Sequence, residues 1–426
     1  MIHNTKLLID ILKKRIEGKI GKPVKTRGDC ELVSNAVLET LDIDISYSTI
    51  KRLYGLAPYT KPNSKTTNTL AQFVGYKNYA HFSQNYRYKD KIDLSQLTYK
   101  AVSIGNEQAI LELIIETKKS SENFIRFIVL LTRELFHNKN YRLLDEIFKL
   151  KALNFNSFSY TEVLYLGNSI GLLLRKQAKI DPILLNNTNF LSCVYLTFVD
   201  YSNLNGYYGE WTEIINVNQP KKEIALFTGS LLEFRNFLNN KKLKELDEDL
   251  IYNKELHPIL CSRLLASKLL VNDNGNSINT SQILDSYFEV HSKKSSLVDY
   301  SYELFTTAIL TKNYVLMKYL IEKTNLNTTI EFYYQKSHLN SYYLMSIFYF
   351  KYTQNSVEEK RHNRLFSIND CMYSYEDFIT ILYHIYVFGS TKIGSKKDRI
   401  KKEYIQLSKQ LNYPYFSESY LLNYFD

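Results

Sequence analysis

Fourteen glycines and seven prolines are all the chain-breakers present in 426 residues, and this scarcity limits the fold more than any other feature. A β-sandwich or barrel needs a turn roughly every eight to twelve residues, which the chain cannot supply. Long helices joined by short polar turns suit such a composition best, so the sequence predicts an all-α protein. At this length a single core has stopped growing in most proteins, and two or more domains are expected.

Charge divides the chain. Residues 1–90 hold 11 Lys and 4 Arg against 8 Asp and Glu, a net +7 of the whole chain's +10. A cationic domain on a nearly neutral body directs any polyanion contact to the N-terminal part. The expected domains are therefore 1–90 and 91–426. The 36 Tyr and 23 Phe would suit stacking platforms for single strands. They spread evenly along the chain, which fits aromatic core packing better.

Within the first domain, Leu7, Leu8, Ile11, Leu12 and Ile16 recur at helical spacing, and Gly18 and Gly21-Lys22-Pro23 stop the helix. Asp29 is expected to N-cap a second helix reaching about Leu41, with Leu32, Val33, Ala36, Val37 and Leu38 inward. A turn over residues 42–45 leads into the run Ser-Tyr-Ser-Thr-Ile-Lys-Arg-Leu-Tyr-Gly at 46–55. Ser46 can cap this third helix, and Gly55 can end it in the left-handed conformation. Ile50 and Leu53 then face one side, while Ser48, Lys51 and Arg52 face the other with Tyr47 and Thr49 on the flanks. Hydroxyls bond base edges or phosphates, and Arg reads guanine through two parallel bonds, so this helix suits a DNA major groove. Lys25, Arg27, Lys61 and Lys65 flank it as candidate phosphate neutralisers.

Residues 29–74 resemble bacterial helix-turn-helix regulators of the Xre/phage-repressor class. The matching residues are Ser48-Thr49-Ile50-Lys51-Arg52-Leu53 with Gly55, then Lys61-Pro62-Asn63-Ser64 and the Thr69-to-Tyr76 run TLAQFVGY. The resemblance covers about the first 85 residues, and the helix before the turn is several residues longer than the usual pattern. It implies a domain that binds double-stranded DNA. Residues 78–86, with Tyr79, Phe82 and Tyr86 at helical spacing, would close that domain.

Past Ser95 a small polar turn recurs before an apolar helical run. With Asn106, Asn140, Tyr207, Asn240 and Asn313 as markers, the spacings are 34, 67, 33 and 73. These are one, two, one and two units of about 34 residues, the tetratricopeptide period, which predicts a tetratricopeptide-like α-solenoid. A repeat body behind an Xre-like head resembles the peptide-sensing transcriptional regulators. That architecture implies a peptide or protein partner in the repeat groove and a homodimer. The aromatic-rich stretch 333–350 is the expected dimer contact.

Enzyme chemistry finds little support. The eight histidines show no metal-ligand spacing, and Cys30, Cys193, Cys261 and Cys371 form no CxxC pair. No cofactor is expected. The loop from Gly389 to Lys396 lacks the lysine that a phosphate loop needs after its second glycine, and reads as a basic loop entering a helix. Asp93 with Glu116-Thr117-Lys118 has the loose spacing of a metal-dependent nuclease, on residues that fall in a helical repeat. The apolar patch at 7–12 is broken by Asp10 and followed by three cations, unlike a signal peptide. Residues 182–199 are uncharged yet too rich in Asn and Thr to span a bilayer. A cytoplasmic protein without membrane contact is expected. The function expected is a sequence-specific regulator. The alternative is a nucleic-acid-binding scaffold or sensor of a mobile-element or anti-phage system.

Overall fold

The computed structural model describes residues 2–58, 60, 62–103, 105–120, 123–175, 181–218, 222–244, 258–271, 284–286, 289, 297–324 and 333–425. Among them every regular element is a helix and none is a strand. The chain forms two compact units, Met1–Asn106 and Glu107–Asp426. The division lies past the expected residue 90 because one helix, Tyr79–Ser103, runs unbroken through that position.

The first unit contains α1 Ile2–Ile20, α2 Arg27–Leu41, α3 Tyr47–Leu53, α4 Ser64–Phe73 and α5 Tyr79–Ser103. Gly18 lies inside α1, and the stop is Gly21, whose φ of 78° suits a residue without a side chain. Leu8, Leu12 and Ile16 are buried on one face of α1, while Leu7 and Tyr86 have side chains outside the described residues. The expected cap of α2 needs correction. Thr26 is the N-cap, and Asp29, three residues on, closes a capping box with it. Two of the inward positions also change: Leu32 and Leu38 are 41% and 44% exposed. The buried stripe of α2 is Cys30, Val33 and Val37, and those two leucines project to either side of it. The three join Leu12, Ile16, Ile50, Leu53, Leu70, Phe73 and Phe82 in one core.

The second unit opens with α6 Glu107–Ser120, α7 Phe124–His137, α8 Tyr141–Lys149 and α9 Tyr160–Leu174. A short α10 Thr188–Phe190 continues as a π-helical turn, Leu191–Tyr195, followed by α11 Tyr207–Val217, α12 Lys222–Leu238 and α13 Pro258–Val271. Then come α14 Leu297–Leu310, α15 Tyr314–Lys323, α16 Tyr333–Tyr352 and α17 Ser356–Leu365. The last three are α18 Glu376–Ser390, α19 Gly394–Leu411 and α20 Glu418–Leu422. Gly171 lets the segment after the π turn lie on α9, because a Cβ there would sit 2.1 Å from the Phe198 ring.

The recurring polar turn has a defined geometry. Lys139, Asn240, Lys312 and Gln354 all adopt φ between 51° and 57°. The next residue's N–H in each case reaches back five residues to a helix carbonyl: Asn140 to Leu135, Lys241 to Asn236, Asn313 to Ala308, Asn355 to Phe350, at 2.9–3.0 Å. This is the Schellman closure of a helix end. Asn140, Asn313 and Asn355 then cap the following helix, each side chain accepting from the N–H three residues on. Helices do begin after markers Asn106, Asn140 and Asn313 and at Tyr207. Residues 241–244 after Asn240 are not helical.

Neighbouring helices pack in series from α11 to α14, and α14 then packs on α15 and α16. A second set of contacts joins distant stretches. The Tyr413 hydroxyl donates to the Tyr201 carbonyl at 2.6 Å and accepts from the Leu204 N–H at 2.8 Å. Tyr420 and Tyr424 donate to the Leu310 and Ile309 carbonyls at the end of α14, and Tyr415 also donates to Leu310. Arg175 pairs with Asp377 at 2.7 Å. The C-terminal residues thus fasten helix ends separated by one to two hundred positions in sequence. Tyr413→Phe would leave a buried N–H and carbonyl without their partner, so it should cost about 1–3 kcal/mol of stability. Urea unfolding followed by circular dichroism checks this, and an unchanged midpoint would exclude the fastening role.

Candidate nucleic-acid interface

Helix α3 has seven residues, too few to persist alone in water. Its context holds it. The Ser46 hydroxyl accepts from the Thr49 N–H at 3.3 Å, and Ile45 before the cap is buried with Ile50 in the first turn. That pairing is a hydrophobic staple. Ile50 and Leu53 are 0% and 2% exposed, and full burial of such side chains contributes roughly 1.5–3 kcal/mol each. The Ser34 hydroxyl donates to the Ile45 carbonyl and ties the turn to α2. At the far end Gly55 takes φ 73°, and its N–H and that of Leu56 close on Arg52 and Lys51 carbonyls.

The outward face carries the residues expected there. Tyr47 and Arg52 are exposed, and Ser48, Thr49 and Lys51 are half-buried. Ser46 Oγ shares hydrogen bonds with Ser48 Oγ at 2.7 Å and Thr49 Oγ1 at 3.2 Å, so part of each hydroxyl's capacity is already used by the cap. Lys25 and Lys65 are exposed, and among the described residues neither they nor Lys51 and Arg52 form an ion pair. Lys61 lies outside the described residues.

Two features of the α2 end escape a reading of residue types alone. The Asp29 carboxylate is held well below the usual carboxylate range, first by the Lys22 ammonium at 2.6 Å and then by the Thr26 hydroxyl at 2.7 Å. The Lys25 and Thr26 N–H groups add to this. Lys22, although exposed, is therefore already engaged by a carboxylate of its own chain. Arg27 also has partners. Its Nε donates to Glu31 at 2.8 Å, and its guanidinium lies 5.0 Å from the centre of the Tyr47 ring. The Glu31 bond comes first among the causes that raise its pKa. Arg27 and Glu31 are four apart on one helix, a spacing legible in sequence. The approach of Tyr47 depends on how α3 folds back.

Other motifs take structural roles. Glu116-Thr117-Lys118 lies on helix α6, with Thr117 buried and Lys118 held over Phe124 and Phe158 at 4.7 and 4.4 Å. Asp93's side chain is outside the described residues. The expected basic loop entering a helix is the junction of α18 and α19, where Lys397 sits 4.4 Å over Phe388 while Lys392 and Lys396 remain exposed. The aromatic stretch 333–350, the expected dimer contact, is partly covered within the chain. Tyr342 and Phe348 are buried, and α16 packs on α14, α15, α17 and α18. Those rings fill an intrachain core, because α16 has neighbours on several sides. All four cysteines are buried thiols, none joined in a disulfide. Among the described residues no group of three His, Cys, Asp or Glu is placed to hold a metal, and no helix is long and apolar enough to cross a membrane.

The chain matches no protein family, no curated protein and no solved structure.

A lowered carboxylate pKa stabilises the fold above the unfolded value of about 3.9 and loses that contribution as pH falls through the folded value. Amide protection in residues 27–41 should therefore decline below about pH 4. Asp29→Asn should abolish that decline and lower protection at neutral pH. Hydrogen exchange corrected for intrinsic rates reads both, and a wild-type acid response in the variant would refute the assignment.

Proposed function

We propose that the chain is a sequence-specific, DNA-binding transcriptional regulator, with a helix-turn-helix head of the Xre/phage-repressor kind and a tetratricopeptide-like body. The observation that carries this reading is α3 itself: a short helix pinned by Ile50 and Leu53, with Tyr47, Ser48, Lys51 and Arg52 turned away from the core. Lys and Arg side chains on so short a helix, without an ion pair among the described residues, can turn their donors to base edges and phosphates. The charge excess of residues 1–90 supports the same assignment.

The body's part in this reading is to hold a peptide or protein partner and to join two copies, since paired half-sites on DNA call for a dimer. Its helical pairs with matching Schellman turns support a repeat-like construction.

Lys51→Ala with Arg52→Ala tests the head. Each lost base contact should cost about 1–3 kcal/mol of discrimination. Selected-duplex binding should fall toward the non-specific level while thermal melting is unchanged. Unaltered sequence preference in fluorescence anisotropy would remove α3 as the reading helix.

A further inference from the structure

Resting on the DNA-binding reading, we propose that Glu31, Arg27 and Tyr47 form a preset fork for one backbone phosphate of duplex DNA, with Glu31 as the positioning residue.

The geometry restricts Arg27 in two independent ways. Glu31 Oε1 takes the Nε–H at 2.8 Å, which fixes the guanidinium along one edge. The Tyr47 ring, 5.0 Å away, backs it. A guanidinium offers five N–H donors in a rigid planar fork, so a carboxylate on Nε leaves the terminal nitrogens open. Those nitrogens have no acceptor among the described residues, and the side chain is 67% exposed. Two parallel donors at fixed spacing suit two oxygens of a phosphate diester. Tyr47 is the first residue of α3 and Arg27 the first of α2, so the fork lies at the entrance to the reading helix.

Glu31 is what makes the proposal separable from bare charge. A carboxylate beside a DNA-binding surface repels the polyanion, so neutralising it should tighten binding if charge alone matters. If instead it aims Arg27, neutralising it should weaken binding although the protein becomes more positive. Arg27→Lys makes the complementary change, keeping the charge while losing the planar fork.

The experiment is full-length protein with duplex DNA in fluorescence anisotropy across a salt series, comparing wild type, Glu31→Gln, Arg27→Lys and the double variant. Glu31→Gln should bind roughly three- to tenfold more weakly, with the slope of log affinity on log salt shallower by up to about 0.9, one phosphate's share. Arg27→Lys should lose a similar factor, and the double variant should be no weaker than Arg27→Lys alone, because both act through one group. Sequence preference should persist in all three. Glu31→Gln binding as tightly as wild type, or more tightly, overturns the fork and leaves the regulator reading standing. A wild-type protein that binds no duplex overturns the regulator reading, and the fork with it. Lost preference in the Lys51→Ala, Arg52→Ala protein together with an intact salt slope keeps the two contacts distinct.

Discussion

Apolar burial on one face of each helix is the constraint from which the remaining features follow, because many of these helices are too short to stand alone. Isolated helices below about 12–15 residues are marginal in water, and α3, α4, α8, α11, α15 and α17 have between 7 and 11 residues. Val33, Val37, Ile50, Leu53 and Leu70 bring α2, α3 and α4 into a single core. What remains outside that core is then available for binding. The polar face of α3 is presented because two of its seven residues are buried and the rest have nowhere inward to go.

Helix ends are the second requirement. Each helix leaves backbone donors and acceptors unsatisfied at its termini, and this chain meets the problem with few glycines. Lys139, Asn240, Lys312 and Gln354 adopt positive φ instead, a conformation that costs non-glycine residues something. The two reverse hydrogen bonds of the Schellman closure offset that cost. An asparagine directly after three of these turns then starts the next helix. At the other extreme, the C-terminal tyrosines satisfy the last carbonyls of α14 with their hydroxyls. Tyrosine suits this position because its ring fills core space while its tip still donates.

The buried charges are paired as well, although the Nε and Nη1 of Arg263 find no hydrogen-bond partner among the described residues. Arg263 and Glu303 are each under a tenth exposed and pair at 2.5 Å, with the Tyr201 hydroxyl donating to the same carboxylate. Rings of Tyr201 and Phe227 lie over the guanidinium at 5.4 and 4.8 Å. Breaking such a pair leaves an uncompensated charge in a low-dielectric interior, which is far more costly than losing an exposed pair. Arg27 and Glu31 lie at the exposed end of that range. Their interaction contributes little to stability, and what it controls is the direction in which a guanidinium points.

Local information is what the sequence alone determined. Scarce breakers imply helices, and the Ser46 cap, Gly55 stop and Ile50–Leu53 pair define α3 almost to the residue, since these are interactions within one or two turns. The polar turns at Asn140 and Asn313 are legible for the same reason. Tertiary structure decided whatever depends on partners distant in sequence. It placed Leu32 and Leu38 outside, because the core chose the Cys30–Val33–Val37 stripe among several apolar options on α2. It made Asp29 the second half of a capping box rather than the cap, and drew Lys22 onto it. It buried Tyr342 and Phe348 of the 333–350 stretch, since periodicity cannot say how many sides of a helix are covered. It also brought Tyr413 to Tyr201 and Tyr47 to Arg27. Those contacts join groups whose separation along the chain carries no periodic signal, and only the folded path of the backbone fixes them.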